Sequence, residues 1–231
     1  MSFFLSAAFW IGLAKIIGVN VILSGDNAVV IALAAKSVPQ HQQRQAVVWG
    51  SGIAVVLLVA LTAVAAELLA LPWLQIVGGA LLLWIGAQLL ASDEEDEQGI
   101  AEGQMTLMAA IRAILIADLV MSMDNVIAVA AAARGNMVLL ILGLAISIPI
   151  VVFGATLMVR LMERFPILIE AGAALIGWVA GETVEGDAAL QSYVPHDGPW
   201  HYVAPAAGAL AVLAVGRWMA ARAARRAASA S

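Results

Sequence analysis

Long apolar segments alternate with short polar ones along the chain. Pro72 and Pro166 mark the short connections between the second and third apolar segments and between the fifth and sixth, which predicts tight helical hairpins there. Since about 20 apolar residues span a bilayer as an α-helix, the pattern predicts an all-α membrane protein with seven transmembrane helices. Their approximate limits are 7–35, 45–70, 73–91, 107–133, 136–160, 165–184 and 203–222.

Composition supports the membrane assignment and excludes several kinds of chemistry. The 231 residues are 63% hydrophobic and only 12% charged, whereas soluble domains are about half apolar and a quarter charged. There is no cysteine, which removes disulfides, thiolate metal sites and cysteine nucleophiles. No phosphate-binding loop and no helical histidine pair occurs. We therefore expect neither an enzyme nor a resident cofactor, and no nucleic-acid partner.

The distribution of basic residues predicts the orientation of the chain. Cytoplasmic loops of membrane proteins are enriched in Lys and Arg. With the N-terminus outside, only Arg134 lies on the outer side, and the cytoplasmic side holds Lys36, Arg44, Arg112, Arg160, Arg164, Arg217, Arg222, Arg225 and Arg226. We expect a multi-pass protein of a bacterial inner membrane, with an acidic cytoplasmic linker at 92–106 and a basic cytoplasmic tail at 223–231. This tail is expected to contact membrane lipids.

An internal repeat divides the membrane domain in two. Asp26-Asn27 and Asp124-Asn125 lie 98 positions apart, and Ser24 and Ser122 match in the same register. Residues 71–86 are similar in sequence to residues 165–180, with the offset shortened by four positions. This alignment pairs Pro72 with Pro166, Gly78 with Gly172 and Trp84 with Trp178. The predicted organisation is a first repeat at 7–91, a second at 107–184 and a seventh helix at 203–222. Because each repeat has three spans, an odd number, the second repeat crosses the membrane in the opposite orientation to the first. Such inverted repeats occur in many transporters, and they would bring the two Asp-Asn pairs together.

Three aspartates inside the spans point to a cation site. Asp26, Asp118 and Asp124 each cost about 2.5–3.5 kcal/mol at a helix centre, and Lys15 is the one basic residue well inside a span. A cation, a proton or a basic partner must offset this cost, and with one buried basic residue for three acids we expect a cation. Carboxylate, amide and backbone carbonyl oxygens suit Mg²⁺, Ca²⁺ and Mn²⁺. The predicted metal ligands are Asp26, Asn27, Asp118, Asp124, Asn125 and Asn20.

Helical geometry restricts how these residues can share an ion. Residues seven apart lie on one face, so Asn20 accompanies Asn27, and Asp118 accompanies Asn125. Asp118 and Asp124 are six apart and point about 120° away from each other, so sharing one ion requires a break in their helix. Gly25 favours such a break in the first span.

Other residues remain open to two interpretations. Met121 and Met123 flank the second aspartate pair, where they are either core residues or ligands that favour a softer ion. Glu67 and Glu182 lie near the ends of spans, where they either mark an ion pathway or are simply solvated. The buried aspartates themselves could instead hydrogen-bond neighbouring helices.

The motifs resemble those of the TerC family of integral membrane proteins, and most closely its YjbE-like branch. The similar stretches are "SGDNAVVIALAA", "IADLVMSMDNVIAVAAAA" and "ISIPIVVFGATLMVRLMERFPILIEAGAALIGWVAGE". The resemblance implies seven spans, a role in Mn²⁺ efflux, and a site on Asp26, Asn27, Asp118, Asp124 and Asn125, with Glu182 in a matching position.

Together these observations predict an exporter of divalent cations, most of all Mn²⁺, that works by alternating access and with possible proton coupling. Two alternatives stay open: an exporter of another small solute, and a membrane protein for assembly or metal delivery that transports nothing. The sequence does not give the oligomeric state.

Overall fold

The computed structural model describes the backbone of residues 7–69, 73–97, 105–133, 136–187, 189–190 and 200–230. At some positions inside these ranges, Glu67 and Asp124 among them, the description does not include the side chain. These ranges contain eight α-helices and no β-strand. The helices are α1 (Ala7–Leu23), α2 (Gly25–Lys36), α3 (Gln40–Leu69), α4 (Leu74–Glu97), α5 (Leu107–Ala133), α6 (Met137–Arg164), α7 (Ile167–Glu185) and α8 (Trp200–Ala230).

The helices confirm the prediction of an all-helical membrane protein. Among the residues described with their side chains, five helices are long and apolar enough to cross a membrane. A sixth crossing is counted if the bent pair α1 and α2 forms one span. Pro166 sits directly between α6 and α7, so the predicted tight connection is present there. The other predicted hairpin, at Pro72, lies outside the described residues.

The segment predicted as the first span is interrupted next to Gly25, where the sequence favours a break. α1 ends at Leu23, α2 begins at Gly25, and the two axes differ by 53°. Ser24 is the single residue between the two helices. By contrast, α5 continues without interruption from Leu107 to Ala133. The break that Asp118 and Asp124 would need to share one ion is therefore absent from their helix.

The short helix α2 lies at the centre of the bundle. Its residues 30–35 are all at most 3% exposed, since α2 packs against α3, α5, α6 and α7. At its C-terminal end, the Lys36 ammonium pairs with the carboxylate of Asp93 in α4. The backbone N–H of Met105 donates to the carbonyl of Ser37 at 2.8 Å. These contacts fix the end of α2 to α4 and to the segment before α5.

Glycines allow close contacts between helices that are far apart in the sequence. A Cβ atom on Gly50 of α3 would collide with Ile114 of α5, and one on Gly143 of α6 would collide with Ile16 of α1. In the same way, Gly78 of α4 faces Val120 of α5, and Gly172 of α7 faces Val29 and Leu33 of α2. In these four contacts, glycines of α3, α4, α6 and α7 each pack against a residue of α1, α2 or α5.

Helices α7 and α8 approach until their backbones touch. A Cβ atom on Gly177 or Gly181 would overlap backbone atoms of α8, and one on Gly208 would overlap the carbonyl oxygen of Gly177. Small residues at such a crossing favour association in a membrane because they maximise van der Waals contact.

The N-terminus of α4 is capped by Asp187, which follows the end of α7. The buried carboxylate of Asp187 accepts hydrogen bonds from the backbone N–H groups of Trp73, Gln75 and Ile76, at 3.0–3.2 Å, and from Ala189 at 2.8 Å. Burial by itself would raise the pKa of Asp187, but these four donors outweigh it and lower the pKa. Trp73 adopts a φ of 71° at this cap.

The helices that extend furthest beyond the predicted spans are α4 and α8. α4 continues to Glu97, through the first part of the acidic linker, because Glu is a good helix former. α8 continues to Ala230 and so includes most of the basic tail. Arg134 and residues 98–104 and 191–199 lie outside the described residues.

Candidate functional site: a polar cavity at the broken helix

A small cavity lies beside the break in the first span. Its volume is about 20 Å³ for the centre of a water-sized sphere, which is room for one water molecule or one bare ion. Its polar lining comes from four helices and the residue at the break: Asn20, Ser24, Asn27, Ser51, Asp118, Ser122 and Asn125. Apolar side chains of Ile31, Ala54, Val55, Leu58 and Val151 complete the wall. We refer to this space as the polar cavity.

The two sequence motifs meet at this cavity. The Asn27 side-chain amide donates to Asp118 Oδ1 at 3.0 Å, which joins α2 to α5. Asn125 Nδ2 donates to the carbonyl of Leu23 at 3.3 Å, at the C-terminal end of α1. Asp118 and Asn125 lie on the same face of α5, as predicted from their spacing of seven. The helices that carry the two motifs are therefore in contact, through Asn27 and Asn125 of the two Asp-Asn pairs.

Three oxygen atoms of the cavity wall are buried without a partner. Asn27 Oδ1, Ser51 Oγ and Asp118 Oδ2 each expose less than 1 Å² and have no hydrogen-bond partner among the described residues. A buried hydroxyl or amide without a partner costs about 1–3 kcal/mol, and a charged group costs more. Because all three atoms carry lone pairs and border one cavity, an occupant there can satisfy them together.

The broken helix adds electrostatic polarity to the site. The C-terminal end of α1 presents carbonyl groups that have no partner within the helix, and a helix C-terminus carries partial negative charge. Asn125 donates to one of these carbonyls, on Leu23. Half-helix ends with free carbonyls are a recurrent way to coordinate cations inside membrane proteins.

Asp26 does not line the cavity, although the sequence grouped it with the ligands. Its Oδ1 accepts a hydrogen bond from the backbone N–H of Asn27 at 2.9 Å. Neighbouring helical residues point about 100° apart, so only one of Asp26 and Asn27 can face the cavity. The like charge of Glu182 in α7 repels Asp26 weakly. Glu182 Oε1 accepts from Trp178 Nε1 at 2.7 Å.

The remaining predicted site residues have different positions. Asn20 is buried and lines the cavity. Met121 and Met123 are buried but are not part of its lining, and Met121 packs in the main hydrophobic core. The side chains of Asp124 and Glu67 are outside the description. Among the described residues, no three His, Cys, Asp or Glu side chains cluster as a metal site.

Ser51 is a site residue that the sequence analysis did not identify. It lies between Gly50 and Gly52 in an apolar helix, and serine is common at contacts between membrane helices because it is small. The polar side chains that share the cavity with it come from other helices, so its own neighbours in the sequence give no signal. Ser24 and Ser122 are different, since they match each other in the repeat and so could have been predicted.

Donor chemistry defines what this cavity can hold. The lining offers one carboxylate, amide oxygens and hydroxyl oxygens, and no described basic side chain borders it. These hard oxygen donors suit divalent cations such as Mg²⁺, Ca²⁺ and Mn²⁺. A carboxylate ligand would find no positive partner in the described lining.

Comparisons with known proteins agree with this architecture. The sequence model of the Integral membrane protein TerC family matches residues 5–224. The uncharacterized membrane protein YjbE of Bacillus subtilis (strain 168) is 42% identical over 190 residues, which cover 82% of this chain and 86% of that protein. The uncharacterized membrane protein YkoY of the same organism is 24% identical over 233 residues, covering 90% and 71%.

A more distant relative is the UPF0053 inner membrane protein YgdQ of Escherichia coli (strain K12). It is 24% identical over 173 residues, which cover 68% of this chain and 73% of that protein. No solved structure shows significant similarity to the chain. The family match extends over nearly the whole length, and the chain therefore belongs to the TerC family of integral membrane proteins.

Proposed function

We propose that this protein exports divalent metal cations, with Mn²⁺ as the main substrate, across the inner membrane of a bacterial cell. The observation that carries the proposal is the polar cavity with its three unpartnered oxygen atoms. A cation bound there would accept lone pairs from Asn27, Ser51 and Asp118 at once, and its charge would compensate the buried carboxylate. Water would satisfy the hydrogen bonds but would leave the charge of Asp118 without compensation.

The proposed ligand set contains residues of both motifs. Asp118, Asn27 and Ser51 would contact the ion, and Asn20 and Asn125 would complete the shell. Oxygen donors favour hard or borderline divalent ions, and Mn²⁺ is the one that the family resemblance implies. Asp124 stays a proposed ligand on the strength of the repeat.

Asp26 and Glu182 would mark the continuation of the ion pathway. These two carboxylates are near enough for their like charges to repel, and they lie next to the break, on the side of α7. A cation leaving the cavity could pass to this pair, and the same carboxylates could carry protons in exchange. Glu182 is exposed, as a residue at a pathway entrance would be.

Alternating access would come from motion of two inverted three-helix repeats, with α8 as the seventh crossing. The paired glycine contacts support this proposal: Gly50 on Ile114 is mirrored by Gly143 on Ile16. Ile16 and Ile114 occupy equivalent positions, 98 residues apart. A two-fold axis in the membrane plane would produce such reciprocal pairs, with the cation site at the interface of the repeats.

The proposed orientation has the N-terminus outside and the C-terminus in the cytoplasm. α4 and α8 run parallel, since Gly86 packs on Val212 and Gly216 packs on Leu90. The Lys36–Asp93 pair and the C-terminal arginines of α8 therefore lie at the same end of the bundle. A concentration of basic side chains at one end supports a cytoplasmic assignment for that end. The printed name of YgdQ, an inner membrane protein, supports the proposed compartment.

The decisive experiment is Mn²⁺ flux into proteoliposomes that contain the purified protein and a trapped metal-sensitive dye. Asp118→Asn preserves the shape of the side chain and removes its charge, so we expect it to abolish most of the flux. Glu163→Gln is the matched control, because it neutralises an exposed carboxylate at the end of α6 and should transport normally. Melting temperatures of both variants would verify that they are folded.

Two results would contradict the proposal. If the wild-type protein moves no divalent cation under any gradient, the transporter function is wrong and a role in assembly or metal delivery takes its place. If Asp118→Asn is folded and transports Mn²⁺ at the wild-type rate, the polar cavity is not the transport site.

A further inference from the structure

The polar cavity lies between two separate apolar clusters, as the order of residues along α3 shows. Val47 belongs to the main hydrophobic core, Ser51 lines the cavity, and Leu61 belongs to a second, smaller cluster. Leu58 belongs both to the cavity wall and to this second cluster. We refer to it as the α1 cluster, because α1 contributes Phe9, Leu13 and Ile16 to it. It separates the cavity from the end of the bundle at which α1 begins.

The two halves of the broken span are held to different degrees. α2 packs against α3, α5, α6 and α7, and the pair of Lys36 with Asp93 fixes its end. α1 packs mainly against α5 and α6, and its residues Trp10, Ile11 and Ile22 are each more than half exposed. α1 is therefore the peripheral half of the span, and α2 is the central half.

The junction between the two halves gives α1 room to turn. Ser24 separates the helices, its side chain makes no capping hydrogen bond, and a Cβ atom on Gly25 would meet no atom within 4 Å. Beside the junction, Asn125 Nδ2 donates to the Leu23 carbonyl at 3.3 Å. This distance is at the long end of the range for an N–H···O hydrogen bond, so little energy is needed to break the bond.

We propose that α1 is a gate over the polar cavity, which turns about Ser24 while α2 stays in place. In the closed position, α1 contributes Asn20 to the wall and the α1 cluster covers the cavity. Opening would withdraw Asn20 and part the α1 cluster, so that Asn27, Ser51 and Asp118 on the other helices face a path to the end of the bundle where α1 begins. That end is the outer side in the proposed orientation. The inference rests on the cation transport proposed above and specifies which segment opens.

The first test measures access to the α1 cluster by cysteine labelling. The protein has no cysteine, so a single introduced thiol reports on its own position. Leu13→Cys and Leu33→Cys form a matched pair, because both leucines are buried, at 6% and 2% exposure, one in each half of the broken span. In folded, metal-free protein, we expect a maleimide to modify Leu13→Cys at least roughly tenfold faster than Leu33→Cys, which only global unfolding exposes. Equal rates would overturn the proposal.

Removal of the Asn125 side chain should favour the open position. Adding Asn125→Ala should raise the labelling rate of Leu13→Cys roughly fivefold, since one hydrogen bond fewer holds α1 closed. The rate for Leu33→Cys should not change. An unchanged rate for Leu13→Cys would contradict the part of Asn125 in holding the gate.

A disulfide across the α1 cluster tests whether the gate serves transport. A Cβ atom on Gly143 of α6 lies 2.9 Å from the Cβ atom of Ile16, close to the separation of about 3.5–4.5 Å in disulfides. A small shift therefore allows mild oxidation to join Ile16→Cys/Gly143→Cys. We expect the joined protein to lose Mn²⁺ flux in proteoliposomes and to regain it on reduction.

Leu90→Cys/Gly216→Cys is the matched control for the disulfide. A Cβ atom on Gly216 lies 3.1 Å from that of Leu90, and a disulfide there joins α4 to α8 and leaves α1 unconstrained, so it should not stop transport. Normal flux with α1 joined to α6, or equal loss of flux in the two pairs, would overturn the proposal. The labelling needs no metal, so its failure contradicts the gate alone, whereas a wild-type protein without Mn²⁺ flux contradicts the proposed function.

Discussion

Ser51→Ala is the substitution whose effect follows most directly from the polar cavity. The change removes one oxygen atom from the α3 wall and leaves the Cβ atom and the packing around it in place. Ser51 is 1% exposed, and its hydroxyl oxygen has no hydrogen-bond partner among the described residues. The variant therefore separates a structural role of Ser51 from a role in binding.

The expected effects on ion-free and ion-bound protein have opposite signs. An unsatisfied buried hydroxyl costs about 1–3 kcal/mol, so its removal should stabilise the ion-free protein by about 1 kcal/mol once a small void is allowed for. With an ion bound, the same oxygen is a ligand, and its loss should cost about 1–2 kcal/mol, which weakens the affinity roughly 5- to 30-fold.

The assay is thermal unfolding of purified protein, followed by the fluorescence of its seven tryptophans, across a range of MnCl₂ concentrations. A ligand that binds the folded protein raises the melting temperature according to its concentration relative to Kd. We expect Ser51→Ala to melt slightly above the wild type without metal. It should need roughly 5- to 30-fold more Mn²⁺ to reach the same stabilisation.

Ser147→Ala is the matched control for this prediction. Ser147 is also buried, but its hydroxyl donates to the carbonyl of Gly143 at 2.8 Å, so its replacement should bring no gain in stability and no change in the Mn²⁺ response. The reasoning would be refuted if Ser51→Ala destabilised the ion-free protein and responded to Mn²⁺ as the wild type does. Ser51 would then be a packing residue.

Three further predictions concern the framework that holds the site. Asp187→Asn should lower the melting temperature at neutral pH. Because the pKa of Asp187 is lowered in the folded protein, the charged carboxylate stabilises the fold fully above its ordinary pKa of 3.8, and this stabilisation is lost as the pH falls through the folded pKa. The difference in melting temperature between wild type and variant should therefore disappear in acid, and a constant difference would refute the charged cap. Gly208→Ala should lower the melting temperature because the added Cβ atom meets the backbone of α7. Gly154→Ala has open space around it and should raise the melting temperature through helix propensity. Equal changes in melting temperature would contradict the close α7–α8 contact. Lys36→Met should lower the free energy of unfolding, measured by chemical unfolding, by up to about 3 kcal/mol because it leaves Asp93 unpaired. Adding Asp93→Leu should restore part of this stability, and a double variant less stable than Lys36→Met would argue against the ion pair.

Much of this architecture could be predicted from sequence because it depends on long, periodic signals. Apolar length predicts the helices, and Gly25 predicts the break in the first span. The spacing of seven between Asp118 and Asn125 predicts their common face, since it is a property of any α-helix. The repeat predicts that the helices carrying the two Asp-Asn pairs come together, and the structure shows a contact between them from Asn27 to Asp118.

Other features depend on rotation and on distant contacts that a sequence does not contain. Asp26 and Asn27 are both polar, and only the rotation of α2 decides that Asn27 faces the cavity. Ser51 becomes a site residue because α3 packs against α5. Asp187 caps α4 although it lies more than 110 positions away in the chain. No local sequence pattern near Trp73 predicts which residue caps this helix.

Locating Mn²⁺ by anomalous scattering would test the central claim most directly. Crystals of the protein grown with MnCl₂ would be measured on both sides of the manganese absorption edge. We expect a single strong peak in the polar cavity, within coordinating distance of Asp118 and Asn27, and no such peak in Asp118→Asn. A manganese peak elsewhere in the membrane domain, or a cavity that holds only water in protein saturated with Mn²⁺, would contradict the account.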